Sequence, residues 1–352
     1  MANTLLQLPC FAVMIPMIAS VPLLYSQSMT QERAPHTLRV QMTALAAAVA
    51  TWLVIAYPLI YLDPDRVLAW WLALAGQAGQ HSGMLLNAGV QMEFYLYAVV
   101  MFCGTLTDRV RCRGLLLFIP LWTLLVYCPV AYLLWNGHGW WAAQGALDFS
   151  GGLVVHLTAG VTSLIMAPRL AGRVNGLRAE RGLAVPTICT FLILLGWFGF
   201  NLAPAGGQTA LYGSIVLGTC LAVLGSVAGA ALAWWPGLSV GQTLDAIVLG
   251  LVTSTAGIGY VPPAVMFLIT LAAGFLLNRW LTGWRTKLAE DPVDSFVMNG
   301  GGGMIGALGL IIWRGQGVFA LVELGALVSV FAITAVGSWL ALQVSRKVMI
   351  SK

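Results

Sequence analysis

The chain has 352 residues, 59% of them hydrophobic and only 8% charged, with 17 Lys and Arg against 12 Asp and Glu for a net charge of +5. A soluble protein of this length needs far more surface charge, and a transmembrane β-barrel shows alternating segments of about ten residues in place of continuous apolar runs. The composition therefore points to an all-α polytopic membrane protein, and the positive charge reports topology, with no nucleic-acid partner implied.

Breaks at Gly, Pro and charge clusters divide the chain into eleven spans, near the length of about 20 residues that a bilayer-spanning helix needs. The first, 5–25, contains Pro9, Pro16 and Pro22 and has neither a basic n-region nor a clear small-residue cleavage site, so it is read as a retained helix. The others follow at 40–61, 85–106, 115–135, 149–168, 184–203, 209–233, 241–257, 263–281, 297–313 and 318–344, leaving 345–352 as a short cytoplasmic tail. Residues 1–344 form one transmembrane domain, with halves at about 1–170 and 184–313 and a last helix at 318–344.

Orientation follows from the basic residues. With the N-terminus outside, the inward loops and tail carry Arg33 and Arg39; Arg109, Arg111 and Arg113; Arg169, Arg173, Arg178 and Arg181; Arg279, Arg285 and Lys287; and Arg346, Lys347 and Lys352. Only Arg66 and Arg314 are left outside, so 15 of the 17 lie inward. The same count requires an odd number of spans and a cytoplasmic C-terminus. The six cysteines are scattered, with no C-x-x-C pair, and support neither a metal site nor a disulfide framework. No cofactor loop and no nucleophile with a base partner is in view, so the chain is not read as an enzyme and no cofactor is expected.

Spans five and ten carry an internal echo. "VVHLTAGV" lies over "VMNGGGGM" so that His156 matches Asn299 and Gly160 matches Gly303, 143 residues apart. Each segment follows an aspartate, Asp148 in "DFSGGLVVH" and Asp294 in "DSFVMN", at different distances. A displacement of five helices reverses direction across the membrane, the signature of an inverted-topology repeat with its site between the halves.

At these residues the chain resembles the ammonium transporter family, Amt/Mep/Rh. "ALDFSGGLVVHLTAGV" is similar to the family's fifth-helix signature, "GWFGFN" (196–201) to its sixth and "DPVDSFVMNGGGGMIGALG" to its tenth, while "TAGIGYVPP" and "VQMEFYLYAVVMFCGTLTDR" also fit. The resemblance implies eleven helices in an inverted five-plus-five repeat, N-terminus outside, and a homotrimer with one narrow apolar pore per subunit. It implies a multi-pass protein of the plasma membrane, the bacterial inner membrane, that recruits ammonium, strips its proton and conducts ammonia.

The resemblance also distributes roles. Phe94 and Phe200 fall on the two phenyl gates, and Trp135, Asp148 and Glu93 on or near the outer recruitment site, where aromatic faces and acceptors replace the water around a small cation. His156 lines the pore and handles the proton. Trp197 and Asn201 lie in the sixth-helix signature near the pore, and Asp291 and Asp294 stabilise the inner vestibule.

Four departures stand out against that pattern. Asn299 occupies the place of a second histidine; an amide donates and accepts hydrogen bonds but cannot relay a proton. Pro204 replaces a serine hydroxyl at the outer site, and Glu93 replaces a small or neutral residue beside Phe94. The tail is shorter than the one that binds PII-type regulators, so that regulation is not expected. These departures motivate an alternative, a non-transporting ammonium sensor or regulatory paralogue. A third reading, an unrelated secondary transporter using Glu93, Asp245 and Glu323 as proton carriers, rests only on acidic residues in or beside apolar spans.

Overall fold

A computed structural model describes residues 2–106, 109–170, 182–284, 291–315 and 317–350. Of the basic residues that set the orientation, Arg173, Arg178, Arg181, Arg285, Lys287 and Lys352 lie outside the described residues. Among those described, the secondary structure is helical, with one isolated bridge between Val110 and Ile350. That is what hydrocarbon dictates, because a helix pairs its own backbone groups where no water can.

Nine helical stretches among the described residues are long and apolar enough to cross a membrane, and two shorter apolar helices, Val240–Ser254 and Pro263–Arg279, accompany them. In chain order the helices are α1 (Ala2–Ser26), α2 (Ala34–Tyr61), α3 (Val67–Leu74), α4 (Ser82–Leu106), α5 (112–135), α6 (Gly152–Arg169), α7 (Ala184–Leu202), α8 (Tyr212–Ala233), α9 (Val240–Ser254), α10 (Pro263–Trp284), α11 (Phe296–Arg314) and α12 (Val318–Met349). All eleven sequence spans find a helix. Outside the spans lie α3, a two-turn helix in the 62–84 connection that buries Trp70 and donates from its indole to the Leu53 carbonyl at 3.1 Å, and shorter turns such as Trp140–Ala143. At the other end, α12 continues through 345–349, where the sequence reading placed a tail. Its end is held by the Arg111 amide on the Met349 carbonyl at 2.8 Å.

Small residues let helices approach where lipid supplies no hydrophobic drive. Gly196 and Gly199 of α7 lie against Val13, Met17 and Cys10 of α1, and Gly229 and Gly274 bring α8 and α10 to backbone contact. The largest buried cluster joins α1, α2, α4, α5 and α6 and reaches into α7 and α12. Among the described residues four helices contain a π-helical turn: Trp52–Ala56, Thr123–Tyr127, Gly152–Leu157 and Phe296–Gly301. The last two carry His156 and Asn299.

Candidate functional site

Residues 148–151 are not helical, although the sequence reading began the fifth span at 149. Gly151 takes φ +99°, which favours glycine. Amides of Phe149 and Ser150 donate to the Ala256 and Thr255 carbonyls at 3.1 and 2.8 Å, so this lead-in is pinned to the turn after α9. Asp148 is thereby held under the start of α6, where its Oδ2 accepts from the Leu153 and Val154 amides at 3.1 and 2.8 Å. It satisfies orphan donors of a helix start and sits at the positive end of its dipole. Burial pushes this carboxyl up to about 7, opposed by the amide hydrogen bonds from Val154, Leu153, Gly152 and Gly151.

The start of α11 is made the same way. Asp291 Oδ2 accepts from the Phe296 amide at 3.1 Å, and its Oδ1 accepts from Thr105 Oγ1 at 2.9 Å. Burial raises it to about 6, against the hydrogen bonds from Phe296 and Thr105. This corrects the echo drawn from sequence, which paired Asp148 with Asp294. Asp148 and Asp291 stand 143 residues apart, as do their partners Leu153 and Phe296, and as do His156 and Asn299. Asp294 lies beyond the cap, with φ +49°, on the wall of a cavity.

The two broken helices meet face to face. A Cβ on Gly160 would fall on the backbone of Gly300, and one on Gly303 would fall on the Gly152 carbonyl and lie 3.3 Å from the Leu157 amide. Only glycine permits that approach, and it brings His156 Nδ1 to 3.0 Å from Asn299 Oδ1, both side chains buried.

Aromatic rings lead from half-buried Trp135 to this pair. Trp135 donates from its indole to the Asp148 carbonyl at 2.8 Å, and its ring meets Phe94 edge-on at 5.6 Å. Phe94 touches Phe200, centroids 4.3 Å apart, so anything that passes must displace a ring. Phe200 lies 6.0 Å from His156, whose imidazole stacks on Trp197 at 5.4 Å and 13°. Beyond Asn299 a cavity of about 170 Å³ opens, lined in part by Tyr25, Met101, Trp234, Asp245 and Asp294. Asn201 is structural in its contacts: its amide donates to Thr219 Oγ1 and Ser254 Oγ at 3.0 and 3.3 Å, tying α7 to α8 and α9.

Glu93 is not brought to this file of rings. One residue turns a helix by about 100°, so while Phe94 faces Phe200, Glu93 faces an apolar groove with Phe11 and Ile18 of α1 and Leu38, Met42 and Leu45 of α2. Its carboxyl is buried there and its Oε2 has no partner. Pro204 is exposed in a short turn, Ala203–Ala205, after α7. Glu323 accepts from the Leu147 amide at 2.9 Å and so braces the chain next to Asp148.

Three residues that sequence reasoning passed over belong to the site. Tyr97 lies three residues, nearly one turn, beyond Phe94 and meets His156 and Trp197 edge-on at 6.0 and 5.3 Å. Its hydroxyl, His156 Nε2 and Trp197 Nε1 are buried without partners. Thr105 and Ser295 complete the polar contacts of Asp291 and Asn299. The spacing of Ser295 four residues before Asn299 on one helix face was the available signal for it.

Comparison with known proteins gives one family throughout. The profile of the Ammonium Transporter Family matches residues 6–349. An ammonium transporter of Bacillus subtilis (strain 168) is 28% identical over 321 residues, covering 88% of this chain and 79% of its own. Among solved structures, one titled a sensor Amt protein superposes with a TM-score of 0.85 at 19% identity, covering 100% of this chain and 95% of that one. Saccharomyces cerevisiae Mep2 superposes with a TM-score of 0.78 at 22% identity, covering 98% and 87%.

Proposed function

The chain belongs to the ammonium transporter family, and from that premise we propose how this multi-pass plasma-membrane protein moves ammonium. The observation that carries the reading is the unbroken file Trp135, Phe94, Phe200, His156, Asn299, which ends at the inner cavity. Ammonium is recruited over the half-buried Trp135, where an aromatic face attracts a cation and the buried Asp148 below adds negative potential whenever it is ionised. Carrying the charge past the touching phenyl rings into a dry, apolar passage is costly. Shedding the proton converts the ion to neutral ammonia, and His156 Nε2, buried without a protein partner, is the acceptor within reach of the passage. Ammonia then passes Asn299 and leaves through the cavity. Asn299 has no proton to relay, so proton movement is confined to His156 and coupling differs from that of a paired-histidine pore.

The finer architecture is part of the same proposal: eleven transmembrane helices, N-terminus outside and C-terminus cytoplasmic, two inverted halves at about 1–170 and 184–313, and a homotrimer. Supporting the inverted repeat is the constant 143-residue offset of aspartate, capped amide, polar side chain and contact glycine.

The test has two arms. Expression in a strain lacking its own ammonium transporters should restore growth on low ammonium, and failure there would favour the non-transporting alternative. In proteoliposomes on a solid-supported membrane, Asn299→His should change the charge moved per ammonium; an unaltered current would sink the claim that this position governs proton coupling.

A further inference from the structure

We propose that Ser295, through the backbone carbonyl of Met101, is the positioning residue that fixes the tautomer of His156, presenting Nε2 to the passage as a bare acceptor. The proposal rests on His156 being the acceptor in the passage, as read above, but its own content is which ring nitrogen carries the proton.

One group in the chain of contacts has no choice. A backbone carbonyl only accepts, so the Ser295 hydroxyl, 3.2 Å from the Met101 oxygen, must spend its single proton there. Its oxygen then offers only lone pairs to Asn299, 3.3 Å away, and the amide must turn its NH2 towards it. The network itself thus sets which way the amide faces. With the NH2 committed to Ser295, the Asn299 oxygen faces His156 Nδ1 at 3.0 Å, and only an Nδ1–H can meet it. A neutral imidazole carries one proton, so Nε2 is left as the acceptor, and Nε2 is the ring atom that lacks a protein partner.

All three side chains are buried, with Ser295 1% and Asn299 2% exposed, so each link has its partner inside the protein. A breach at a link would leave a buried polar group without that partner. The polarity also forbids reversal. A proton gained at Nε2 makes an imidazolium whose Nδ1–H still points at Asn299, and it can leave only from Nε2, the side on which it arrived.

The test reads the ring directly, by nitrogen NMR of the ¹⁵N-histidine-labelled full chain in bilayers, with the His156 signals assigned by difference from His156→Asn. Wild type should show a protonated Nδ1 and an unprotonated Nε2. Ser295→Ala frees the amide to turn and should abolish or mix that signature. Ser295→Thr, which keeps the hydroxyl, should restore it. An Nε2–H tautomer in wild type would overturn the proposal, as would an unchanged tautomer in a Ser295→Ala protein that elutes as wild type does. Because the readout is protonation and not flux, a chain that failed to carry ammonium would keep this signature, and the two failures are distinguishable.

Discussion

In residues 148–160 a buried aspartate caps a broken helix whose polar side chain, His156, stands among the rings of Tyr97, Trp197 and Phe200; in residues 291–303 the same construction carries Asn299 beside a polar cavity. Both segments open in a π-helical turn, and each presents a glycine to the other's backbone. The frame is thus duplicated while the chemistry is not. The backbone supplies two equivalent seats facing one another, and only one of them is filled by an ionisable group.

The largest effect should come from breaking the contact itself. Gly303→Val would place carbons on the Gly152 carbonyl, and a backbone, unlike a side chain, cannot swing aside. Detergent extracts should contain little monodisperse protein. Gly79→Val, at an exposed position with open space around the site of a Cβ, should extract as wild type does. Equal yields from the two variants would show that the segments do not depend on close approach.

The two caps should differ by a measurable amount. Burial raises Asp148 from 3.8 to about 7 and Asp291 from 3.8 to about 6, so the fold favours both in the neutral form. A raised carboxyl contributes its stability fully below the unfolded value near 3.8, and that contribution is lost as pH rises through the folded value. The melting temperature of wild type in detergent should therefore fall from pH 4 to pH 7. Asp148→Asn should flatten the slope up to about pH 7 and Asp291→Asn only up to about pH 6. The extra unit is worth roughly 1.4 kcal/mol. Identical profiles in the two variants would mean that the halves bury their caps alike.

Much of this was legible in the sequence, and for a physical reason. A span must be about 20 apolar residues long in hydrocarbon, so each stretch the sequence marks falls on a described helix, while α3 and the turn at Trp140–Ala143, too short for that constraint, carry no such signal. Phe94, Phe200, His156 and Asn299 also came together as their motifs implied. Facing direction was less legible. Glu93 adjoins Phe94 in the chain yet looks the other way, because a run that is apolar all round gives no amphipathic stripe to orient it. The counterpart of Asp148 was hard to read for a related reason. Two acidic residues three apart, Asp291 and Asp294, both precede the motif, and only the hydrogen bond to Phe296 tells which is the counterpart of Asp148.

The smallest expected effects separate the two sides of the contact most finely. Each side has a buried tyrosine. Tyr97, on the His156 side, has a hydroxyl without a protein partner, whereas Tyr25, on the cavity side, donates to Met101 Sδ at 3.7 Å. A buried hydroxyl left unpaired costs about 1–3 kcal/mol, so Tyr97→Phe should melt no lower than wild type and as much as several degrees higher. A sulfur is a weak acceptor, so Tyr25→Phe should cost well under about 1 kcal/mol and lower the melting temperature slightly. Transport should sort them in the opposite sense. If the Tyr97 hydroxyl is kept unpaired in order to meet the passing nitrogen beside His156 Nε2, its loss should raise the ammonium concentration for half-maximal current several-fold in a protein that is no less stable. Tyr25→Phe should leave that concentration where it is. A Tyr97→Phe protein with wild-type half-saturation would assign the orphan hydroxyl to packing alone and leave the polar contacts on that side to His156 Nε2 and Trp197 Nε1.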